Sequence, residues 1–447
     1  MPPGYRPVRM DDLDVIRRGL GIPVRATLAV GEGRVRAVRG LAVRASVPGL
    51  RVGDRATIHR RDLPPIEAEA VGFDDEGVLL LPFGETVGIG PDDLVRAGTG
   101  GATVDCGDGL LGRALDGTGA PCDGLGPIQG PLTPRPVRAA APDPMTRQRI
   151  REPLPTGVRV IDGLLTLAAG QRVGLFAGSG VGKSALLGQI TRRCAADVVV
   201  VALVGERGRE VREFLDDALD DASRRRAVAV VATSDAPALV RLRAAEVATA
   251  VAEHFRDEGR RVLLLMDSIT RVARAQRDVG LAAGEPAVRR ALPPSVYALL
   301  PRLLERAGPA SVGTISAIYT VLVEGGDLDE PVADEVRGLL DGHIVLDRAL
   351  FARGRLPPVD PLASVSRVMD AVTGPAHRAS AARVRALLHA LETRRELIAL
   401  GAYTRGSDRL TDEALDRRDA LEAFLAQRRD EVSELDATLA ALHRLAR

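Results

Sequence analysis

The segment Ala177-Gly178-Ser179-Gly180-Val181-Gly182-Lys183-Ser184 holds the single lysine of a 447-residue chain; the rest of its 61 basic residues are arginines. A GC-rich coding sequence accounts for the scarcity of lysine but not for where the exception falls. Lysine carries a compact charge on a flexible stem that reaches between β- and γ-phosphates, whereas guanidinium is a wide planar fork. Glycines at 178, 180 and 182 let backbone N–H groups around Ser179 and Val181 close on phosphate oxygens, and a helix starting there adds its dipole. The hydroxyl of Ser184 then falls where Mg²⁺ would sit. Ala177 stands where the general pattern has glycine, which is tolerable if that position needs no positive φ.

Two carboxylates follow at strand ends. The run RRVLLLMD closes on Asp267, and an aspartate at such a tip beside a phosphate loop holds the Mg²⁺ shell, through water. Glu206 follows the apolar run 198–204 and projects from the same carboxyl edge, where ligands bind in such folds. One reading has Glu206 orienting the water that attacks a γ-phosphate. The other has it pairing on the surface with Arg207 or Arg209. Spacing alone does not choose between them.

These residues need a sheet behind them. Apolar runs at 172–177, 198–204, 227–232, 262–267, 313–323 and 343–347 alternate with helical stretches, the signature of a parallel sheet covered on both faces. The helix opened by Lys183 carries Leu186, Leu187 and Ile190 on one face. Upstream, 24–95 reads as short strands: in LAVRASV, Leu41, Val43, Ala45 and Val47 share one face, which suggests a small β-barrel. The prolines between 131 and 155 read as an extended connector. Beyond 375 the chain turns helical: Val384, Leu387, Leu388, Leu391 and Ile398 keep helical spacing and Gly401 sits at a C-cap. Thr411 is placed to cap a second helix, and Val432, Leu435, Leu439 and Leu442 continue an apolar stripe. The division expected is an arm (1–23), a barrel (24–95), an α/β nucleotide-binding domain (96–375, of which 96–156 is entry and connector) and a helical domain (376–447).

Composition narrows the classes. Apolar residues at 45% and charged residues at 27% suit a globular chain, and a net charge of +1 offers no field for nucleic acid or anionic membrane. Aromatics at 2% leave few platforms for stacking bases of single strands. No apolar run spans a membrane, and the first 20 residues lack the apolar core of a signal peptide. Cys106, Cys122 and Cys194 lack metal-type spacing and read as free thiols; the six histidines are scattered and read as structural or surface residues.

Taken in order, AGSGVGKS, ALVGERGREVREF, MDSITR, GEP at 284–286, PPSVYALLPRLLERAG, YTVLVEG, GHIVLD and DPLASVSRVMD resemble the flagellar and type III protein-export ATPases, relatives of the catalytic β subunit of rotary ATP synthases. The likeness runs from about residue 25 to 430. It implies an N-terminal β-barrel, a RecA-like P-loop ATPase domain and a C-terminal α-helical domain, assembled as a homohexamer that hydrolyses ATP with Mg²⁺. It assigns phosphate and Mg²⁺ contacts to Lys183 and Ser184, the Walker B carboxylate to Asp267 and the catalytic carboxylate to Glu206. Arg207 matches an arginine near the γ-phosphate, Arg367 a finger inserted into the neighbouring subunit's site, and Phe424 an aromatic on the base side. The implied partners are a regulator at the N-terminal arm, a central coiled-coil stalk near Tyr403 and Arg405, export substrates and chaperones, and a membrane export gate. The implied location is cytoplasmic, at the inner face of the membrane. Two positions depart from the family: Leu356 stands where an aromatic commonly faces the adenine, and Ala291-Leu292 where Gly-Tyr often precedes PPSV. Flagellar export is the leading reading, on GAYTRGSD followed by TDEAL, with an injection-type apparatus as the alternative. A nucleic-acid motor needs barrel aromatics beyond Phe73 and Phe83, so no nucleic-acid partner is expected, and a non-catalytic subunit would not need Lys183, Glu206 and Asp267 together.

Overall fold

The computed structural model describes residues 31–98, 100–288 and 292–447. The N-terminal arm, the regulator expected on it, and Ala291 lie outside the described residues. A closed barrel comes first, from β1 (Glu32–Arg39), β2 (Ala42–Ser46), β3 (Arg55–His59), β4 (Ile66–Asp74), β5 (Gly77–Pro82) and β6 (Leu94–Ala97) in the order β1-β2-β5-β4-β3-β6. Closure by β1 against β6 leaves no free edge. Val43, Ala45 and Val47 fill its interior as the alternation predicts, but Leu41 lies in the β1–β2 turn, more than half exposed. Ala42, on the opposite face, is buried because the barrel rests there on the next domain.

That contact is partly ionic. Arg243, on the helix Ala238–Asp257, pairs with Glu69 of β4 and lies 2.6 Å from Glu246. Arg138 adds bonds of 2.9 Å to Glu69 and 3.0 Å to Glu246. Buried charges persist only when paired in this way, so two arginines and two glutamates fasten barrel to helix.

The supposed connector also carries structure. β7 (Thr103–Cys106) pairs antiparallel with β9 (Thr133–Pro136), and between them β8 (Ala114–Asp116) joins the edge of the main sheet beside β12 (Ala227–Thr233). Three residues with fully buried Leu115 suffice for an edge strand, too short for a periodicity to register. The main sheet runs β17 (Val359–Ser366), β16 (Gly342–Leu346), β10 (Arg172–Ala177), β15 (Thr314–Leu322), β13 (Arg261–Asp267), β11 (Val198–Glu206), β12, β8, with β14 (Gly308–Pro309) antiparallel to β15. From β16 to β8 the pairings are parallel; β17 returns antiparallel. Every residue of β11 is buried, the mark of a central strand covered on both faces.

The C-terminal unit packs helices Pro375–Thr393, Arg395–Ala399, Arg409–Asp416, Arg418–Leu425 and Leu435–Ala446. Ile398 falls on a separate short helix, which ends with Gly401 at φ +68°. The second cap is Asp408, accepting from Leu410 N–H; Thr411 lies buried inside the helix, its hydroxyl donating to that same aspartate. A carboxylate three residues earlier won the cap because Thr411 is needed in the core. Val432 precedes the last helix rather than extending its stripe.

Candidate active site

The phosphate loop turns between β10 and the helix Lys183–Arg193. Ala177 is still strand, paired with Leu322 and Leu346, and Asp92 is the one non-glycine with positive φ among the described residues. Alanine is tolerated for that reason. Gly180 and Gly182 do take positive φ, +77° and +83°, which an L side chain would resist. Lys183 and Ser184 therefore open the helix at a cleft of about 1210 Å³, which Gly178, Ser179, Gly180, Gly182, Lys183, Ser184, Glu206 and Asp267 line.

Register brings the carboxylates there. β13 and β11 are parallel neighbours with Leu203 opposite Asp267, so both strands end at one edge and Glu206 overshoots by three residues. Lys183 Nζ sits 2.5 Å from Asp267 Oδ1 and 3.4 Å from Glu206 Oε1. The lysine is the counter-ion of two buried carboxylates. Burial works against its charge, yet Asp267 and Glu206 outweigh that and raise its pKa. Burial raises the Glu206 pKa, helped by Asp267 and opposed by Lys183 and Arg271.

Three partners escaped the sequence reading. Thr320 on β15 donates to Asp267 Oδ1 at 2.7 Å; a threonine in an apolar strand gives no sequence signal. Arg271, one turn into the helix after Asp267, donates to the Gly205 carbonyl and lies 3.4 Å from Glu206 Oε2. Its signal was the offset of four from the strand tip, which returns a helical side chain to the same edge. Glu210 shares a hydrogen bond with Glu206 that lowers its own pKa while raising that of Glu206.

Arg207 lines the same cleft without pairing to Glu206. Its side chain is 74% exposed and pairs with Glu210 at 3.0 Å, at the rim of the cleft. Arg271 holds the place beside Glu206 instead. Of the two earlier readings of Glu206, pairing with Arg207 or Arg209 is not what the geometry shows: Arg209 pairs with Glu213 at 2.6 Å.

Phe424 is not in the cleft. Its ring is buried against the helix Arg159–Leu164, so close that a Cβ on Gly163 would meet it at 2.8 Å. It belongs to the core of the C-terminal unit because apolar helical positions there face inward. A side slot beside the phosphate loop is lined instead by Ala185, Gln189, Leu356, Pro357, Gln427 and Arg429.

Arg367 follows β17, whose Ser366 pairs with Gly342 at the start of β16, while Leu346 at its end pairs with Ala177. Four residues of strand, at about 3.3 Å each, separate Arg367 from its own phosphate loop. Its guanidinium donates to the Leu340 carbonyl at 3.2 Å and does not line the cleft. Tyr403 donates to the Asp408 carbonyl and to Asp412, so its hydroxyl closes the turn, whereas Arg405 is largely exposed and pairs with Asp416. Leu292 is buried and Glu285 accepts from Ser295 N–H.

Mg²⁺ fits the donor set: the Ser184 hydroxyl and the Asp267 carboxylate are hard oxygen donors lining one cleft. No group of three or more His, Cys, Asp or Glu side chains that could hold a metal occurs among the described residues. An ion there needs phosphate oxygens and water to complete its shell, as Mg²⁺ prefers.

Residues 157–366 match the ATP synthase alpha/beta family, nucleotide-binding domain, and residues 373–444 the T3SS EscN ATPase C-terminal domain. The chain is 49% identical over 412 residues to the flagellum-specific ATP synthase of Bacillus subtilis, covering 92% of this chain and 94% of that one. It is likewise 49% identical over 420 residues to the type 3 secretion system ATPase of Xanthomonas euvesicatoria, covering 93% and 95%. Among solved structures, the assembled ATPase EscN of the enteropathogenic E. coli type III secretion system superposes with a TM-score of 0.89 at 44% identity, covering 93% of this chain and all of that one. EscN in complex with its central stalk EscO superposes at 0.86, also at 44% identity, with the same coverage.

Proposed function

The chain belongs to the flagellar and type III secretion ATPases, and on that premise we propose how its residues divide the work of hydrolysis. It is an ATP-hydrolysing enzyme of type III protein export, and flagellar and injection-system relatives match it equally well. Glu206 is the catalytic carboxylate and Lys183 the phosphate ligand, with Ser184 and Asp267 holding Mg²⁺. One observation carries this reading: Lys183, Glu206 and Asp267 converge within 3.4 Å of the lysine nitrogen at the carboxyl edge of the sheet.

The incoming phosphates compete with Asp267 and Glu206 for Lys183. A lysine drawn to phosphate releases Glu206, which then accepts a hydrogen bond from the attacking water and orients it in line with the γ-phosphate. Arg271 holds the carboxylate while Lys183 is engaged. Ser184 and Asp267 would hold Mg²⁺, which when bound would supply positive charge against the phosphates. The backbone N–H groups of 178–184 cradle the phosphate oxygens, and the buried surroundings strengthen each contact.

Arg367 acts on a neighbour's nucleotide within a homohexameric ring. Its distance from its own loop and the assembled state named for EscN support that reading. The EscN structure with its central stalk EscO supports a stalk partner for this chain, and we place a coiled-coil stalk at the C-terminal turn, where Leu400 is 81% exposed and Arg405 largely exposed. Chaperoned export substrates and a membrane gate complete the assignment, with the ring in the cytoplasm at the inner membrane face. No helix among the described residues is long and apolar enough to cross a membrane. The test is Glu206→Gln in the full chain: ATP still binds and turnover is lost, whereas Lys183→Ala loses both. Residual turnover equal to wild type in Glu206→Gln would remove the carboxylate from the mechanism.

A further inference from the structure

The side slot has a lining that does not suit a base. A flat heterocycle gains most from a flat apolar face, yet Ala185, Gln189, Leu356, Pro357, Gln427 and Arg429 supply no aromatic ring. Nor does Gln427 offer free hydrogen bonds. Its amide donates to the Gly157 and Glu431 carbonyls and accepts from Arg159 N–H. Phe424 is committed to the core.

One exposed ring stands at the junction. Phe351 lies on the short helix Arg348–Ala352, which runs alongside the phosphate loop: Arg348 donates to the Ser179 carbonyl at 3.0 Å. Three residues on, the Phe351 ring is 3.7 Å from where a Cβ on Gly182 would sit. Gly182 lines both the phosphate cleft and the side slot. The ring is 37% exposed and makes no aromatic or cation–π contact among the described residues. Its position is held firmly. Asp347 caps the helix through Leu350 N–H at 2.7 Å, Arg355 forms two bonds to Glu422, and the Leu356 carbonyl accepts from Gln427 N–H at 2.6 Å. The ring itself lines neither cleft, so a nucleotide meets it only by reaching past Gly182, the residue the two clefts share; a fixed, partly exposed ring there costs little ordering entropy when a ligand covers it.

We propose that Phe351 is the aromatic surface of this nucleotide site, packing on the ribose and base of a bound nucleoside triphosphate in a chain whose position 356 is leucine. This rests on the nucleotide reading above. Contact through a ring face favours a nucleotide over bare polyphosphate and distinguishes one purine from another only weakly.

Titration calorimetry on the full-length Glu206→Gln protein with Mg²⁺, using ATP, GTP and inorganic tripolyphosphate, tests it. Adding Phe351→Ala should weaken ATP and GTP roughly tenfold each and leave tripolyphosphate unchanged. Adding Leu356→Tyr to that variant should recover part of the loss, which also shows that the site still folds. An equal loss for tripolyphosphate would make Phe351 a support of the phosphate loop and overturn the proposal. So would unchanged affinity for all three, or altered ring assembly by sedimentation with intrinsic affinities intact. If Glu206→Gln itself fails to bind ATP while Phe351 is intact, the underlying nucleotide reading fails and the proposal falls with it.

Discussion

The two ends of the nucleotide cleft are built on opposite principles. At the phosphate end, Lys183, Glu206, Asp267, Thr320 and Arg271 sit on strand tips and first helical turns, each fixed by a hydrogen bond or ion pair to another. At the side slot, the first turns of the helix Lys183–Arg193 face Leu356, Pro357, Pro358, Gln427 and Arg429, which lie on loop segments that meet through one backbone bond. Charge in a buried site works only at fixed distance, since its energy falls steeply with separation and mispairing is costly. Apolar contact needs only area. The phosphate end therefore admits little change in residue type, and the base end admits Leu356 for an aromatic provided another surface is near.

The sharpest test concerns what the phosphate end lacks. If Arg367 completes a neighbour's site, Lys183→Ala and Arg367→Ala rings should each be nearly inactive, the latter by about 10³–10⁵ in rate. Mixed rings should regain single-turnover hydrolysis, because some interfaces then pair an intact loop with an intact finger. Verified mixed rings without rescue would place Arg367 in a cis or structural role.

Within one chain, Glu206→Gln should cost about 10²–10⁴ in kcat with little change in ATP affinity. Arg271→Ala should fall between that and wild type, because it steadies the carboxylate rather than touching the attacking water. An Arg207→Ala loss larger than that of Arg271→Ala, measured in the same steady-state assay, would reverse the two arginines.

Legibility in the sequence follows the same divide. The phosphate loop is readable because its glycines answer a local backbone demand, and Asp267 and Glu206 because strands end where ligands bind. Arg271 gives no signal without the strand register that sets it beside Glu206, whereas Arg207, adjacent in sequence, lines the same cleft with its side chain turned to Glu210. Thr320 and Phe424 show the limit in both directions. A polar side chain in an apolar strand and an aromatic on an apolar helix face are each assigned by packing, and packing is not local. The strand Ala114–Asp116 was too short to carry a period, and the cap at Asp408 rather than Thr411 turned on which side chain the core required.

Substrate discrimination tests the base end. With leucine at 356 and the Gln427 amide committed to backbone, the slot keeps only Gln189, 3.4 Å from the Arg428 carbonyl, and Arg429 as polar side chains, and the base meets mainly apolar surface. An apolar surface discriminates by roughly 10–200-fold at most for small changes in a ligand. The ratio of kcat/KM for ATP over GTP should lie below about a hundredfold. Leu356→Tyr should lower KM for both nucleotides without separating them. A much larger ratio in wild type would mean that a polar group reaches the base after the ring assembles.

The smallest effect separates the ends by stability rather than rate. Burial raises the Glu206 pKa above its ordinary value, with Asp267 adding to it and Lys183 opposing. A carboxyl whose folded pKa is raised contributes stability that is fully present below the unfolded value, about 4.3, and lost as pH rises through the folded value. At pH 7 to 8 the nucleotide-free protein thus carries the cost of a buried carboxylate that glutamine would not. Lys183 has Asp267 at 2.5 Å as a second partner, so its own charge should stay paired in the variant. Nucleotide-free Glu206→Gln should melt higher than wild type at pH 8 by calorimetry. The difference should vanish as pH falls below about 4.3. Leu356→Tyr, at a site without titrating groups in contact, should show no such pH dependence. A Glu206→Gln protein that melts lower at pH 8 would mean that the attraction of Lys183 and Arg271 exceeds the cost of burial, and that the phosphate end is held together before any nucleotide arrives.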